Sequence, residues 1–362
     1  MKAISVIGGR QHIIKAHAVH RDMVNAGIEH FLVDMGGFRQ SFAKSTYKEL
    51  ELPDPFSVWS NHSGDHQFDE VKPSAEYLKN VFLKVMPNVV LVYGDIMYSV
   101  AACYAALENK TPLAHIEAGL RNHDLGDTEE RNRLFIDNSS NLLFSTSEQS
   151  KNNLISEGIS SSDIYVGGNA VISSLRKNLL NKDDEVIKKL GLIDLDYAVI
   201  TLHREENLRS KTIATELLYA IEEISNIIPI IFIQYPETQR AFAKFGIQQF
   251  LNNIQGVTIL NTVSYRKYLG ILASCKLVIT DSSGIQDESA YLGKPCVICR
   301  DHSHREAISQ TDIHQLAGTN SAAISGAAFQ LMRSQTHQPS FPSDWEIDTG
   351  KIVSAALLNR YG

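Results

Sequence analysis

The sequence predicts an α/β protein built from two doubly wound domains, each a parallel sheet covered by helices on both faces. Short β-rich apolar runs alternate with longer helix-patterned stretches, which is the rhythm of βαβ units. The alternation occurs as two successive series along one chain. A length of 362 residues, 43% of them hydrophobic, is enough for two cores of ordinary size.

The first series runs AISVI (3–7), HFLVDM (30–35), VVLVYG (89–94), PLAHIE (112–117), LLFSTS (142–147) and DIYVGG (163–168). The second runs YAVITLH (197–203), IIPIIFI (227–233), VTIL (257–260), CKLVITD (275–281) and PCVICR (295–300). A break is expected at Gly167-Gly168-Asn169, giving an N-terminal domain over 1–168 and a C-terminal domain over 169–344. Residues 345–362 read as a final helix that packs back on the first domain. Two such domains are expected to face each other across a cleft. Ligands of open α/β sheets bind beyond the carboxyl ends of the strands, so residues just after strands deserve the closest reading.

The charge balance narrows the function. A net charge of −7 argues against a nucleic-acid groove or a membrane-binding surface, both of which need clustered Lys and Arg. The longest apolar runs fall short of the roughly 20 residues of a membrane helix. The stretch before Gly8 is too short for a signal-peptide core, so a cytoplasmic protein is expected. Four cysteines are too few for a disulfide scaffold. Cys296 and Cys299 form a C-x-x-C, but within a strand, where residues three apart point to opposite faces.

Gly8-Gly9-Arg10 follows the first strand and precedes a helical stretch containing Lys15. Glycines there let a backbone approach an anion at a helix N-terminus, or simply make a tight turn. Asp95 follows the third strand, either as a helix N-cap or as a functional acid. Glu117 ends an otherwise apolar strand in HIEAGLR, and an ionisable group there points to function. Glu129 and Arg133, four apart in DTEERNR, read either as a solvated helical pair or as a third acid with its cation. Three acids after consecutive strands would meet where acid/base catalysis needs them. In the second series, His203-Arg204 ends one strand and Asp281-Ser282-Ser283-Gly284 another. The latter, at a helix start, suits a diphosphate, with Gln286 and Glu288 one turn on and Glu288 placed for two ribose hydroxyls. His302 and His304 make an H-x-H pair, but no third ligand accompanies them, and no metal is expected.

HIEAGLR, the E-E-x-N-R, the T-x-H-R and, above all, D-S-x-G-I-Q-x-E-x-x-x-L-G-K-P resemble the non-hydrolysing UDP-N-acetylglucosamine 2-epimerase family, in order from Gly8 to about Ile308. The resemblance implies two Rossmann-like domains in a GT-B arrangement and a homodimer. It implies inversion of carbon 2 of a UDP-sugar through elimination of UDP to a glycal and re-addition, without metal or nicotinamide. Asp95, Glu117 and Glu129 would be the acid/base set, joined by His203 as a fourth catalytic group. Arg10, Lys15, Arg133, Arg204, Ser282, Ser283, Gly284, Gln286, Glu288 and Arg305 would bind the UDP-sugar.

Several positions depart from the family pattern. The G-T-R-P-E opening is Gly8-Gly9-Arg10-Gln11-His12, and G-D-T is Gly94-Asp95-Ile96 followed by Met97 and Tyr98. The G-Q-H used for an allosteric UDP-sugar is Gly36-Gly37-Phe38, and H-R-R-E is His203-Arg204-Glu205-Glu206. The H-P after the IIFI strand is Gln234-Tyr235-Pro236, and R-D-x-x-E-R-P-E is shortened around Arg305. Those changes imply an enzyme without allosteric activation, acting on UDP-N-acetylglucosamine or a modified relative such as a diacetamido-uronate. A hydrolysing 2-epimerase that releases the free sugar, a GT-B glycosyltransferase and a catalytically silent nucleotide-sugar sensor are the competing readings.

Overall fold

Val89–Tyr93 (VVLVY) is buried at every position, as is Leu113–Ala118, so both faces of these strands need cover. A parallel sheet between two helical layers supplies it. The computed structural model describes residues 1–36, 40–60, 71–303, 308, 311–333 and 338–362. They form two compact units, one of Met1–Lys177 with Pro342–Gly362 and one of Asn178–Phe341.

The first unit holds strands β1 (Lys2–Ile7), β2 (Glu29–Asp34), β3 (Ser57–Val58), β4 (Val89–Tyr93), β5 (Leu113–Ala118), β6 (Leu142–Ser145) and β7 (Ile164–Val166). They pair in the order β3-β2-β1-β4-β5-β6-β7, all parallel. The second holds β8 (Ala198–Thr201), β9 (Ile230–Gln234), β10 (Val257–Asn261), β11 (Leu277–Thr280), β12 (Cys296–Ile298) and β13 (His314–Leu316), in the order β10-β9-β8-β11-β12-β13. Each sheet begins at its middle and reverses direction, between β1 and β4 and between β8 and β11. Each apolar run quoted above becomes a strand. The two additional strands, β3 and β13, are edge strands of two and three residues, too short to show a period.

One face of the first sheet (Ile4, Val6, Val90, Val92) packs on the helices Val71–Val85 and Met97–Glu108. The second helix presents Ala101, Ala102, Cys103, Ala105 and Ala106, whose small side chains bring its backbone close to the sheet. The other face carries polar groups beneath the helix Arg10–Asn25. Ser5 Oγ meets His30 Nε2 at 2.7 Å and Tyr93 Oη at 2.6 Å, and His30 Nδ1 meets His20 Nδ1 at 2.9 Å. Burial, reinforced by His20, lowers the His30 pKa to about 3, so this histidine is a neutral partner in the core.

The chain leaves the first unit at Lys177, later than the break expected after Gly168, because the helix Ala170–Leu179 is tied to the returning C-terminus. Ser173 Oγ meets Thr349 Oγ1 at 3.0 Å, and Arg176 donates to the Glu346 carbonyl at 2.6 Å. The last helix, Thr349–Tyr361, lies against the helix Arg10–Asn25 in the same unit. Cys296 opens β12 and Cys299 follows its end, both buried; burial pushes the Cys296 thiol up to about 12 and Cys299 well above its ordinary value.

A Cβ on Gly350 would stand 2.2 Å from Asp22 Oδ2 and 2.6 Å from the Ala18 carbonyl oxygen. Gly350→Ala is therefore expected to lower the unfolding free energy by about 1–3 kcal/mol. Urea denaturation should show an earlier midpoint at an unchanged slope; an unmoved midpoint would mean the two helices separate without cost.

Candidate active site

The crevice at a switch point, beyond the carboxyl ends of diverging strands, is where an α/β sheet exposes backbone and side chains together. In the first unit that place is built by the ends of β1, β4 and β5. After β1, Gly8 and Gly9 turn the chain into the helix Arg10–Asn25, so Arg10, His12 and Lys15 sit in its first two turns, all buried. The Gly8 N–H donates to His12 Nδ1 at 3.4 Å. A Cβ on Gly8 would collide with Ile96 Cδ1 at 2.3 Å and Tyr98 Cδ2 at 2.8 Å, so the bulky residues after Asp95 fill the hollow this glycine leaves.

Gly94 follows β4 at φ +58°, a left-handed conformation natural to glycine. The space its side chain would take is ringed by Lys15 Nζ (3.2 Å), Glu117 Oε2 (3.6 Å) and His12 Nε2 (3.9 Å). Lys15 and Glu117 form a buried ion pair. Glu117 sits at φ +79° where the β5–β6 register shifts between Ile116 and Ala118. Left-handed backbone costs a non-glycine residue about 1–2 kcal/mol, so neighbours must hold it there. His12 lies in the field of Lys15, Glu117, Asp95 and His115; burial first, then Lys15, lowers its pKa to about 3 and keeps it neutral.

What holds the bulge is a buried network around Asp137. His115, two residues before Glu117, meets Asp137 Oδ1 at 2.6 Å through Nδ1 and the Gly94 carbonyl at 3.0 Å through Nε2. The Gly119 N–H, two residues after Glu117, donates to Asp137 Oδ2 at 3.2 Å. Arg121 joins Asp137 at 2.7 Å and Glu157 at 2.6 Å. Burial would raise the Asp137 pKa, but His115 and Arg121 outweigh it and hold the carboxyl below its ordinary value.

Asp95 is not an N-cap. The helix Met97–Glu108 is capped at Ile96 without a side-chain bond, and the Asp95 carboxylate turns to Arg133 Nη1 at 2.5 Å. Asn132 donates to the Asp95 carbonyl at 2.8 Å. The helix Thr128–Ser139 is capped by Asp127, whose Oδ1 accepts from the Glu129 N–H at 2.9 Å. The expected Glu129–Arg133 helical pair gives way to Glu130–Arg133 at 2.8 Å, a spacing of three. Burial disfavours the Arg133 charge, yet Asp95, Glu130 and Glu129 together push its pKa up.

In the second unit the equivalent switch point joins His203-Arg204, after β8, to Asp281-Ser282-Ser283, after β11. The buried Asp281 carboxylate accepts from the His203 N–H at 3.0 Å and the Arg204 N–H at 2.9 Å, and from Asn207 at 3.1 Å. Burial opposes ionisation of Asp281, but His203 and Arg204 prevail and lower its pKa. Arg204 donates to Ser283 Oγ at 3.0 Å. Ser282 precedes the helix Ser283–Tyr291 without capping it through its side chain, which leaves the N–H groups of that first turn facing the switch point. Gly284 and Gln286 are buried in the same helix. Fully buried Glu288 accepts from Tyr265 Oη at 2.9 Å and Tyr268 Oη at 2.7 Å. Arg305, His304, Gly37 and Phe38 lie outside the described residues, and His302 is exposed.

The structure thus joins Lys15 with Glu117, Asp95 with Arg133, and His203 and Arg204 with the Ser282–Ser283 turn. Sequence reading missed His12, His115, Glu130, Asp137, Tyr265 and Tyr268 as members of these sites. Four of them carried a signal, a spacing of three on one helix face: His12 to Lys15, Glu130 to Arg133, and Tyr265 to Tyr268.

The family model described as UDP-N-acetylglucosamine 2-epimerase matches residues 23–345. The UDP-N-acetylglucosamine 2-epimerase of Methanocaldococcus jannaschii is 32% identical over 327 residues, 88% of this chain and 89% of that protein. The UDP-2,3-diacetamido-2,3-dideoxy-D-glucuronate 2-epimerase of Pseudomonas aeruginosa is 30% identical, over 92% of this chain and 90% of its own. The crystal structure of the M. jannaschii enzyme in complex with UDP-GlcNAc and UDP matches with a TM-score of 0.92 at 29% identity, covering 99% of this chain and 100% of that one.

Removing one partner of a buried charged network leaves the others uncompensated. Asp137→Ala is expected to cost about 3–5 kcal/mol of stability at neutral pH. Because the folded pKa of Asp137 is depressed, its contribution is complete above the ordinary carboxylate value of about 3.9 and fades as pH falls through the folded value. Denaturation at pH 7 and at successively lower pH should show the gap between wild type and variant closing; a gap independent of pH would discard the ionic account.

Proposed function

The chain belongs to the UDP-N-acetylglucosamine 2-epimerase family, and on that premise we propose that it inverts carbon 2 of UDP-N-acetylglucosamine or of a modified relative. The observation that carries the assignment of chemistry is the pairing of two acids with two cations at one switch point, Glu117 with Lys15 and Asp95 with Arg133. Elimination breaks the C2–H bond and the bond between C1 and the UDP oxygen. The proton passes to a carboxylate, and UDP departs with the bonding electrons, leaving a glycal. Return of the UDP oxygen to C1, with a proton delivered to the opposite face of C2, completes the inversion. Acids mounted separately, on the end of β5, after β4 and at the start of the helix Thr128–Ser139, suit a reaction that uses both faces of one carbon. Glu117, Asp95 and Glu129 are the groups we assign to it, with Arg133 steadying Asp95.

We assign UDP to the second unit. Its diphosphate would meet the N–H groups of Ser283 and Gly284, the hydroxyl of Ser282, the Arg204 guanidinium and the His203 ring, where a helix N-terminus favours an anion. Glu288, aimed by two tyrosines, would take the ribose hydroxyls. Tyr268 remains a donor to it, since burial and the Glu288 charge push its hydroxyl pKa well up. We assign Arg10 and Lys15 to the diphosphate or the reacting sugar, and Arg305, which lies outside the described residues, to substrate binding. His12 and the Ile96–Tyr98 stretch surround the acids with groups the family pattern lacks, which favours a modified sugar such as a uronate alongside the parent. The reading carries with it a cytoplasmic homodimer that supplies a polysaccharide pathway.

Incubation with UDP-N-acetylglucosamine and its diacetamido-uronate relative in heavy water tests the reaction by NMR. Deuterium at carbon 2 with UDP retained is expected; free sugar would establish the hydrolysing variant instead. Asp95→Asn, Glu117→Gln and Glu129→Gln should each slow turnover by about 100-fold or more while UDP still binds. Near-normal rates in all three would end the elimination mechanism. Glu288→Ala should weaken UDP by about 1–3 kcal/mol in calorimetry, the cost of a lost charged hydrogen bond, and an unchanged affinity would remove Glu288 from the site.

A further inference from the structure

Glu130 is almost fully buried, at 1% exposure, and no role falls to it in the chemistry above. Every partner it has among the described residues is a donor. Oε2 accepts from Arg133 Nε at 3.0 Å, Arg133 Nη2 at 2.8 Å and the Asn122 N–H at 3.1 Å, and Oε1 accepts from the His123 N–H at 3.1 Å. His123 stands at φ +58°, so the carboxylate also pins a left-handed turn in the segment that leaves β5 after Glu117. Arg133 in turn spends its remaining terminal nitrogen, Nη1, on Asp95 at 2.5 Å. One guanidinium therefore lies between two carboxylates, with Nε and Nη2 held by Glu130 and Nη1 left for Asp95.

We infer that Glu130 is a positioning residue for the epimerisation, aiming Arg133 at Asp95 and limiting how strongly that cation draws on the Asp95 carboxylate. The inference rests on the assignment of Asp95 to the acid/base set. The charged groups about the pair include Asp127 at 3.9 Å from Arg133 and Glu129 on the same helix, while His12 lies in the shared field of Asp95, Lys15, Glu117 and His115. Glu130 faces Asp95 across the guanidinium as a like charge, and it also satisfies part of the Arg133 charge. Both effects keep Asp95 a stronger base than Arg133 alone would leave it. Loss of the Glu130 charge should make Asp95 easier to ionise and less basic.

Glu130→Gln separates this from a plain brace. The acid limb of its kcat profile is expected to move to lower pH by roughly one to two units, the size expected of one charge removed across a guanidinium at an effective dielectric near 20. Turnover should fall about threefold to tenfold with KM little changed, as a weaker base predicts. Glu130→Asp, which keeps the charge but withdraws it by one methylene, should bring the limb most of the way back, leaving a small shift in the same direction, while recovering only part of the rate. A direct readout needs no turnover: 13C NMR titration of the Asp95 carboxyl, identified by its loss in Asp95→Asn, should move down in Glu130→Gln. A limb and an Asp95 titration that both stay put overturn the inference, whether or not the rate falls. Wild-type protein that does not epimerise overturns the functional assignment instead, and the Asp95 titration still decides the role of Glu130. Should Glu130→Gln not fold, titration of Asp95 in Glu130→Asp decides, with a partial shift in the same direction expected from the withdrawn carboxylate and no shift counting against.

Discussion

The first unit turns on one buried carboxylate. Asp137 takes a bond from His115, one from the Gly119 N–H and an ion pair from Arg121, so it grips the chain on both sides of Glu117. Without that grip the left-handed backbone at Glu117 loses the bonds that flank it on both sides, and the register shift in β5 loses its support. His115 extends the hold to the Gly94 carbonyl, which places the turn after β4 beside Lys15 and Glu117. The acids on β4 and β5 are thus indexed to one another by a residue that meets neither of them. Its burial makes the arrangement stiff, since an unpartnered charge at that depth is far costlier than a paired one.

The second unit solves the same problem with Asp281. There the carboxylate lies under the switch point and collects backbone N–H groups from the chain leaving β8. The result is a preformed turn that presents His203 and Arg204 outward while the helix after β11 presents its N-terminus. In both units a buried acid shapes backbone and leaves the working groups to others. The chemistry we propose needs this division, because a group that must gain and lose a proton cannot also be the fastening that keeps the loop in place.

Much of the architecture was legible because the signals were long. Apolar runs of four to seven residues, repeated between helical stretches, name the central strands of both sheets, and their order then locates the switch points. β3 and β13 escaped because Ser57–Val58 and His314–Leu316 each hold a single apolar residue, whereas the equally short edge strand Ile164–Val166 is apolar throughout. The candidate site was legible at strand ends, where Asp95, Glu117, His203 and Ser282 stand out against apolar neighbours. The supporting residues were not. His115 and Asp137 are separated by 22 positions and meet only through the β5 fold-back, so no local pattern announces them. Glu130 was visible but outshone by Glu129, because a spacing of four invites a helical pair, whereas rotation about the helix axis turns Glu130 inward and makes three the operative spacing. The division after Gly168 was misplaced for a related reason: the glycines mark a turn, while the ties that hold the next helix in the first unit come from residues 346–349 at the far end of the chain.

The hollow at Gly8 has a consequence for how this protein can vary. Ile96 and Tyr98 occupy the volume that any side chain at position 8 would claim, so the three sites share one fixed space. A β-carbon gained at position 8 requires bulk to be shed at 96 or 98, whereas the glycine tolerates either size there. Growth at position 8 is therefore conditional on positions 96 and 98, although they lie nearly ninety residues apart. The apolar residues that follow Asp95 are then, in this chain, the packing counterpart of a bare turn after β1.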